Sequence, residues 1–451
     1  MQPCQIETRA LPDTPATALL ALHRNRPDLY PVLFESAAAG TPQGRYTILL
    51  ARPGERLVSD REGAAPRPGG HEGFLARLDD WWQRERVPSE SGEHWPVSSG
   101  WFLLLGYELA GEIEPSLRLP PAPDEFRSVA WRMRASVLHD HATGETVVRA
   151  EADCESLAAD IRQQLSLVPP EPPAGGINLE VSEEDPARFR RAVLAALEHI
   201  AAGDVYQANL SRGWTARLPP DLRAADVYER LRRANPGPFS GIADIGDFAV
   251  VSSSPERLVR VRGRRAETRP IAGTRPRLGE IDAPSIAELI AHPKERAEHI
   301  MLIDLERNDL GRICEAGTVE VDELMSVESY AHVHHIVSNV RGILRPEVTP
   351  AAVIRALFPG GTITGCPKVR CMQLIADLEA EGRGAYTGSM GYLGRDGDLD
   401  LNILIRTLTI HRGIATLRAG AGIVADSDPE RELEETRAKA RGVLRALSEA
   451  P

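Results

Sequence analysis

Residues 385–420 read "AYTGSMGYLGRDGDLDLNILIRTLTIHRGIATLRAG", and this stretch decides the fold class. Short aliphatic and β-branched runs are divided by the dipeptides Asp396-Gly397 and Arg412-Gly413. Glycine supplies the positive φ that a tight hairpin needs, so the stretch predicts successive antiparallel hairpins. Just upstream of it, at 358–370, "FPGGTITGCPKVR" is a glycine-rich stretch in which Pro367 falls at the predicted first turn of a helix. It departs from a Walker A loop, because Gly365 is followed by Cys-Pro-Lys, and it suits either a structural turn or an anion cradle.

Further out the same alternation continues. "FAVVSSSPERLVRVRGRRAETRPIAG" (248–273) predicts strands turning at 262–265, and "VYQANLSRGW" (205–214) predicts another strand. Helical spacing of apolar residues appears at 184–204, 294–310 and about 429–447. In the first third, short strands such as "YPVLFES" and "GWFLLLGYE" mix with helical stretches such as "GFLARLDDWWQRER". Without strict β-α-β alternation, the pattern predicts an α+β architecture. The four prolines and two glycines of "LVPPEPPAGGINLE" (167–180) mark a boundary between a region 1–165 and a region 179–451.

Composition limits the function classes. A chain of 451 residues with 42% hydrophobic residues can bury a large core. Its 65 acidic and 53 basic side chains give a net charge of -12, which disfavours non-specific nucleic-acid binding. The arginines between 257 and 277 have no aromatic residue among them to stack bases, so hairpin edges explain them better. No stretch approaches the ~18 apolar residues of a membrane span, and the first ten residues lack a secretory pattern. Five cysteines without a C-x-x-C pair predict free thiols and a cytoplasmic protein.

Several constellations could carry chemistry. Glu295 with Glu298, and Glu432 with Glu435, are E-x-x-E pairs that each project from one helical face. Such a pair is ordinarily solvated surface; two pairs together could supply the oxygen ligands that Mg²⁺ favours. "HVHHIVS" (332–338) sets His332 and His334 on one face of a strand and His335 on the other, where histidines held within a sheet are the plain expectation.

These stretches are not independent. "GDVYQANLS", "SSSPERL", "TRPIAGTRPR", "KERAEHIMLIDLERNDLGR", "HVHHIVS", "FPGGTITGCPKVR", "YTGSMGYL", "LNILIRTL" and "RAGAGIVADSDPERELEET" stand in the order and spacing of the chorismate-utilising enzymes. The chain resembles aminodeoxychorismate synthase component I, with anthranilate synthase component I the near relative. The likeness is dense from about 179 to 447. It implies antiparallel β-sheets packed as a sandwich with helices outside, and amination of chorismate by ammonia from a separate glutaminase subunit (component II). It also implies Mg²⁺ held by Glu298 and Glu435, with Glu295 and Glu432 supporting them. "LFESAAAG", with Glu35 and Ser36, sits where relatives bind tryptophan.

Carried over by residue, the resemblance makes Glu256 the general acid for the departing 4-hydroxyl and places His335 near the ring. Arg406 and Tyr386 would hold the enolpyruvyl carboxylate, assisted by backbone N–H groups of Gly420, Ala421 and Gly422. Thr362, Lys439 and, more weakly, Lys368 map to the pocket, as does Thr274 in the motif around Ala272. Gln207 stands where water-adding relatives have a basic lysine. An amide cannot take that proton, so Gln207 points to amination. Ala272 stands where many aminodeoxychorismate synthases carry a nucleophilic lysine, and "PIAGT" is the form usual in anthranilate synthases. Position 272 therefore favours anthranilate formation, while "YQANLS" and the N-terminal third favour 4-amino-4-deoxychorismate.

Overall fold

The structure, a computed structural model, describes residues 6–36, 44–59, 73–88, 95–167, 177–277, 293–329 and 333–448, without the side chains of 167, 274–276, 293–294 and 333. The first strands are β1 (Glu7–Ala10), β2 (Val32–Glu35), β3 (Tyr46–Val58), β4 (Gly100–Leu105), β5 (Val129–Asp140), β6 (Glu145–Ala150) and β7 (Val181–Glu183). Then come β8 (Gln207–Arg217), β9 (Phe239–Asp244), β10 (Phe248–Ser254), β11 (Arg257–Arg262), β12 (Arg265–Thr268) and β13 (Ile271–Pro276). The remaining strands are β14 (Glu320–Ser329), β15 (Val333–Ile343), β16 (Gly365–Cys366), β17 (Ser389–Gly394), β18 (Leu399–Asn402), β19 (Thr407–His411) and β20 (Ile414–Ile423). Helices α1 (Ala16–Asn25), α2 (Phe74–Glu85), α3 (Ala110–Ile113), α4 (Cys154–Leu167) and α5 (Pro186–Ala201) lie before β8. Helices α6 (Ala224–Ala234), α7 (Pro293–Gly311), α8 (Pro350–Leu357), α9 (Lys368–Glu379) and α10 (Pro429–Ser448) follow it.

Local chemistry explains the boundaries. Gly397 and Gly413 adopt φ of 93° and 74° at the turns of the β17–β18 and β19–β20 hairpins, as the D-G and R-G dipeptides predict. Helix α5 starts where the Asp185 carboxylate accepts a 2.9 Å hydrogen bond from the Ala187 amide, with Pro186 in the first turn. Pro367 stands one residue earlier than predicted, at the N-cap of α9, with extended backbone (φ -69°, ψ 138°). Its fixed φ suits either position, so the sequence alone does not separate them.

The strands make one large antiparallel sheet with helices around it. One run of neighbours goes β7, β8, β20, β19, β10, β9, β2, β3, β5. From β5 the sheet continues through β4, β17, β18, β11, β12 and β15. The pairs β2–β9 and β4–β17 join strands from either side of residues 168–176, which lie outside the described residues.

Buried leucine, valine and aromatic side chains fill the layers between sheet and helices. One cluster gathers Leu33, Leu49, Tyr228, Leu417 and Val443; another gathers Phe74, Trp101, Leu258, Ile354 and Leu401. Truncating a fully buried leucine such as Leu33 to alanine costs ~2–5 kcal/mol. Helix α7 packs on β13 and β15, and α10 packs on β20 and α6. These contacts join parts of the chain that are far apart in sequence. Among the described residues no helix is long and apolar enough to cross a membrane.

Candidate active site

Strand β8 begins the site. Side chains two apart share one face of a strand, so Gln207 and Asn209 point the same way while Leu210 enters an apolar cluster. Their neighbour β20 leaves room for them with glycines. A Cβ on Gly422 would come within 2.3 Å of Gln207 Nε2, and one on Gly420 within 2.7 Å of both Asn209 Oδ1 and the Tyr386 hydroxyl. Ala421, between them, is fully buried in the opposite, apolar face, so only its backbone can serve a ligand here. The Gly420 carbonyl points off the ladder to Lys439 Nζ at 3.1 Å, and Lys439 pairs with Glu435 at 2.8 Å.

The acid side is built from turns. Glu256 follows β10 and is only 5% exposed. Burial, with Glu306 adding to it, raises its carboxyl to about 8 even though Thr362, the Ile271 amide and Arg406 pull it down. Thr362 comes from the turn Gly361–Ile363. Although its hydroxyl favours the Glu256 carboxylate, Thr362 Oγ1 and Glu256 Oε1 both lack a partner in hydrogen-bond geometry. The electrostatic proximity is the firmer statement, since a hydroxyl rotor is free to turn.

Arg406 links this side to the next. Its φ of 51° lies in the left-handed region, at a cost of order 1 kcal/mol for a non-glycine residue. Ser253 holds that conformation by donating to the Arg406 carbonyl from its amide at 3.1 Å and its hydroxyl at 3.2 Å. Burial lowers the guanidinium pKa, with only Glu256 opposing, and the side chain makes no ion pair or hydrogen bond with the described residues. On β15, His335 is 2% exposed, and its Nδ1 lies 3.3 Å from the Gly273 carbonyl. Burial, followed by Arg406, lowers its pKa to about 3, and Lys439 adds to this. The ring is neutral at physiological pH.

Ala272 on β13 lies opposite Ile336 and is half-buried, and its methyl group offers no nucleophile. Thr274 pairs with His335 in the same ladder, but its side chain lies outside the described residues, as does His332. Lys368 is turned away from this group: it pairs with Asp309 and donates to the Leu357 carbonyl at 3.4 Å.

Four buried oxygens here have no hydrogen-bond partner: Gln207 Oε1, Asn209 Oδ1, Glu256 Oε1 and Thr362 Oγ1. Leaving each unpaired costs ~1–3 kcal/mol, so their convergence beside an uncompensated guanidinium describes a site completed by a ligand that brings hydrogen-bond donors for the amide oxygens and an anionic group for Arg406. Asn209 and Glu306 were missed in the sequence. Asn209 carried a signal, its two-residue spacing from Gln207; Glu306 carried none.

The carboxylate pairs sit on α7, which packs on β13 and β15, and on α10, which packs on β20. On α7, His299 next to Glu298 meets the Ser338 hydroxyl of β15 at 2.7 Å. On α10, Lys439, one turn from Glu435, faces His335. Among the described residues no three His, Cys, Asp or Glu side chains stand in metal-holding geometry.

The remaining candidates lie apart. Glu35 is buried, accepts a 3.0 Å bond from the Tyr228 hydroxyl and pairs with Arg232, while Ser36 Oγ is buried without a partner. Arg257, Arg260, Arg262 and Arg269 are ion-paired with Asp400, Glu267, Asp398 and Glu328, so they do not form a free basic strip. A cavity of about 370 Å³ lined by Trp214, Arg383, Tyr386, Thr407 and Arg418 adjoins Tyr386 but includes none of Glu256, His335 and Arg406. Its arginines are already paired with Glu379 and Glu381, so the chemistry belongs to the Glu256 side.

The chain is similar to known proteins. A Synechocystis protein named anthranilate synthase component I-like protein is 42% identical over 433 residues, covering 92% of this chain and 86% of its own. Bacillus subtilis aminodeoxychorismate synthase component 1 is 48% identical over 261 residues, 57% of this chain and 55% of that protein. The crystal structure of anthranilate synthase component I from Streptococcus pneumoniae superposes with a TM-score of 0.80 at 31% identity, covering 90% of this chain and 93% of that one. Residues 34–445 match the family described as chorismate binding enzyme, and the chain belongs to that family.

Proposed function

We propose that this chain aminates chorismate, using ammonia delivered by a separate glutaminase subunit. One observation carries the reading: a buried Glu256 that keeps its proton at neutral pH stands beside an Arg406 guanidinium without a counter-anion. The first is what a poor leaving group such as hydroxide requires, and the second is what a carboxylate substrate satisfies. Ammonia bonds to the ring, the C4–O bond breaks, and the departing hydroxyl takes the Glu256 proton and leaves as water. The ammonium so formed returns a proton to Glu256. Arg406 and Tyr386 hold the enolpyruvyl carboxylate, aided by the Gly420 and Gly422 amides, and the Gln207 amide does not compete as a base for water.

The donor set on α7 and α10 fits Mg²⁺ in chemistry, because carboxylate oxygens are its preferred protein ligands. Glu298 and Glu435 would hold the ion, backed by Glu295 and Glu432, with Glu435 exchanging its Lys439 contact for the metal. When bound, the ion neutralises the ring carboxylate. Four described cysteines are free thiols, which suits a reducing cytoplasm.

We assign the amine to carbon 4, giving 4-amino-4-deoxychorismate for p-aminobenzoate and folate synthesis. The 48% identity with a named aminodeoxychorismate synthase supports this. With Ala272 in place of a nucleophile, a first ammonia bonds to carbon 2 as the C4–O bond breaks, and it leaves again as ammonia when a second ammonia bonds to carbon 4. The second reading, amination at carbon 2 with loss of pyruvate to give anthranilate, is favoured by Ala272 and by the relatives aligned along most of the chain.

One assay separates them. The purified chain is incubated with chorismate, Mg²⁺ and ammonium, with and without a lyase that releases p-aminobenzoate from aminodeoxychorismate. Lyase-dependent p-aminobenzoate supports the first reading; anthranilate formed without the lyase replaces it with the second. Activity with ammonium but not with glutamine supports the separate glutaminase, and full glutamine-dependent turnover removes it.

A further inference from the structure

The geometry points to Glu306 as a positioning residue for Glu256, a second interior carboxyl that keeps the proton on Glu256 from behind the Gly361–Thr362 turn. This assignment rests on Glu256 being the proton donor of the proposed amination.

Glu306 lies on the inner side of α7 and is 5% exposed. Its Oε1 lies 3.5 Å from where a Cβ on Gly361 would stand, and the preceding Leu305 would come within 2.2 Å of that atom. Only glycine lets the turn sit this close to the helix. The next residue of the turn, Thr362, faces Glu256, so the two carboxyls both lie against one short segment of backbone. The Thr268 side chain at the end of β12 and the Gly361 amide steady Glu306.

The charged groups around the pair are few. Behind Glu306, Asp309 is 6% exposed and is paired with Lys368 of α9, which also pulls the Glu306 carboxyl down. In front of Glu256 stands Arg406. Each buried carboxyl thus has its own cation opposing its rise, and the two titrate as a coupled pair. Burial and Asp309 raise Glu306 to about 7, against about 8 for Glu256. A charge on Glu306 raises the proton affinity of Glu256. When a substrate carboxylate engages Arg406, the cation that pulls the Glu256 carboxyl down is neutralised. Binding then tightens the proton on Glu256 at the moment it is needed.

The test titrates Glu256 directly in the substrate-free protein by infrared difference spectroscopy, identifying its carboxyl band by the band's loss in Glu256→Gln. In Glu306→Gln the Glu256 titration is expected to move to lower pH by about one unit, and the alkaline limb of kcat/KM to move with it. Glu306→Asp, which withdraws the charge by one methylene, should give a smaller shift in the same direction and serves if Glu306→Gln does not fold. An unchanged Glu256 titration in the folded variants overturns the assignment. A shifted titration with normal turnover in Glu256→Gln would instead remove the proton-donor reading while leaving the coupling standing.

Discussion

Glu379 and Glu256 are the same residue at nearly the same depth, 4% and 5% exposed, yet they carry opposite charge states. Glu379 accepts from the Ser211 amide at 2.8 Å and hydroxyl at 2.9 Å, from Arg383 at 2.6 and 3.0 Å, and from Arg418 at 3.3 Å. Burial works against its charge, but the Arg383 and Arg418 guanidiniums overcome that and hold it below the usual carboxylate range. Glu256 has one cation nearby and an oxygen with no partner, and burial prevails. Committed partners make a buried carboxylate part of the scaffold. An uncommitted one is left as an acid. Arg383 and Arg406 repeat the contrast: the first is bound to Glu379 and stacked over Tyr107 and Tyr386, the second is held in strained backbone without a counter-anion.

The largest expected effect is on turnover. Glu256→Gln keeps the shape and removes the proton, so kcat should fall by ~10²–10⁴-fold while the thermal midpoint stays level or rises. Glu379→Gln should do the reverse. It leaves Arg383 and Arg418 buried around a neutral amide, and breaking a buried pair costs ~3–5 kcal/mol, measurable by denaturant unfolding. If Glu256→Gln unfolds the protein, or Glu379→Gln leaves it stable, the contrast fails.

Arg406→Ala comes next. A charged hydrogen bond contributes ~1.5–3 kcal/mol, so KM for chorismate should rise roughly 10- to 100-fold. Stability should change by less than about 1 kcal/mol, because the truncation removes a buried charge that has no protein partner. An unchanged KM would remove Arg406 from the substrate.

The strands and helices were legible because their signals are local. Asp396-Gly397 and Arg412-Gly413 mark the hairpins where they occur, and helix α10 begins at the predicted Pro429. The ordered motifs around Glu256, Ala272, Thr362 and Arg406 named the family. Burial of the polar residues was hidden. Glu379 and Arg383 are spaced four apart, as on any solvated helix face, and only their bonds to Ser211 and Asn209, far back in the chain, put them in the interior. Glu306 likewise sits in a polar stretch, "DLERND", that reads as exposed. Depth is set by strands paired across hundreds of residues, such as β2 with β9, which no short-range signal fixes.

The smallest effect, and the sharpest, is the sign of pH dependence. From an ordinary value of 4.5, Glu256 is raised to about 8, so between these values the folded form binds a proton that the unfolded chain lacks. Its contribution to stability is therefore complete below about 4.5 and is lost as pH rises toward 8. Glu306 adds to the same window, up to about 7. Glu379, depressed below 4.5, contributes in the opposite sense: its stabilisation is present above 4.5 and is lost as pH falls through its lower folded value. Unfolding midpoints measured from pH 3 to 9 should thus lose part of their alkaline slope in Glu256→Gln and part of their acid slope in Glu379→Gln. The alkaline limb of wild-type kcat/KM should reach half its height near pH 8. Equal slopes in the two variants would mean that the carboxylates share one charge state, and that the difference in partners between the two regions does not govern their protons.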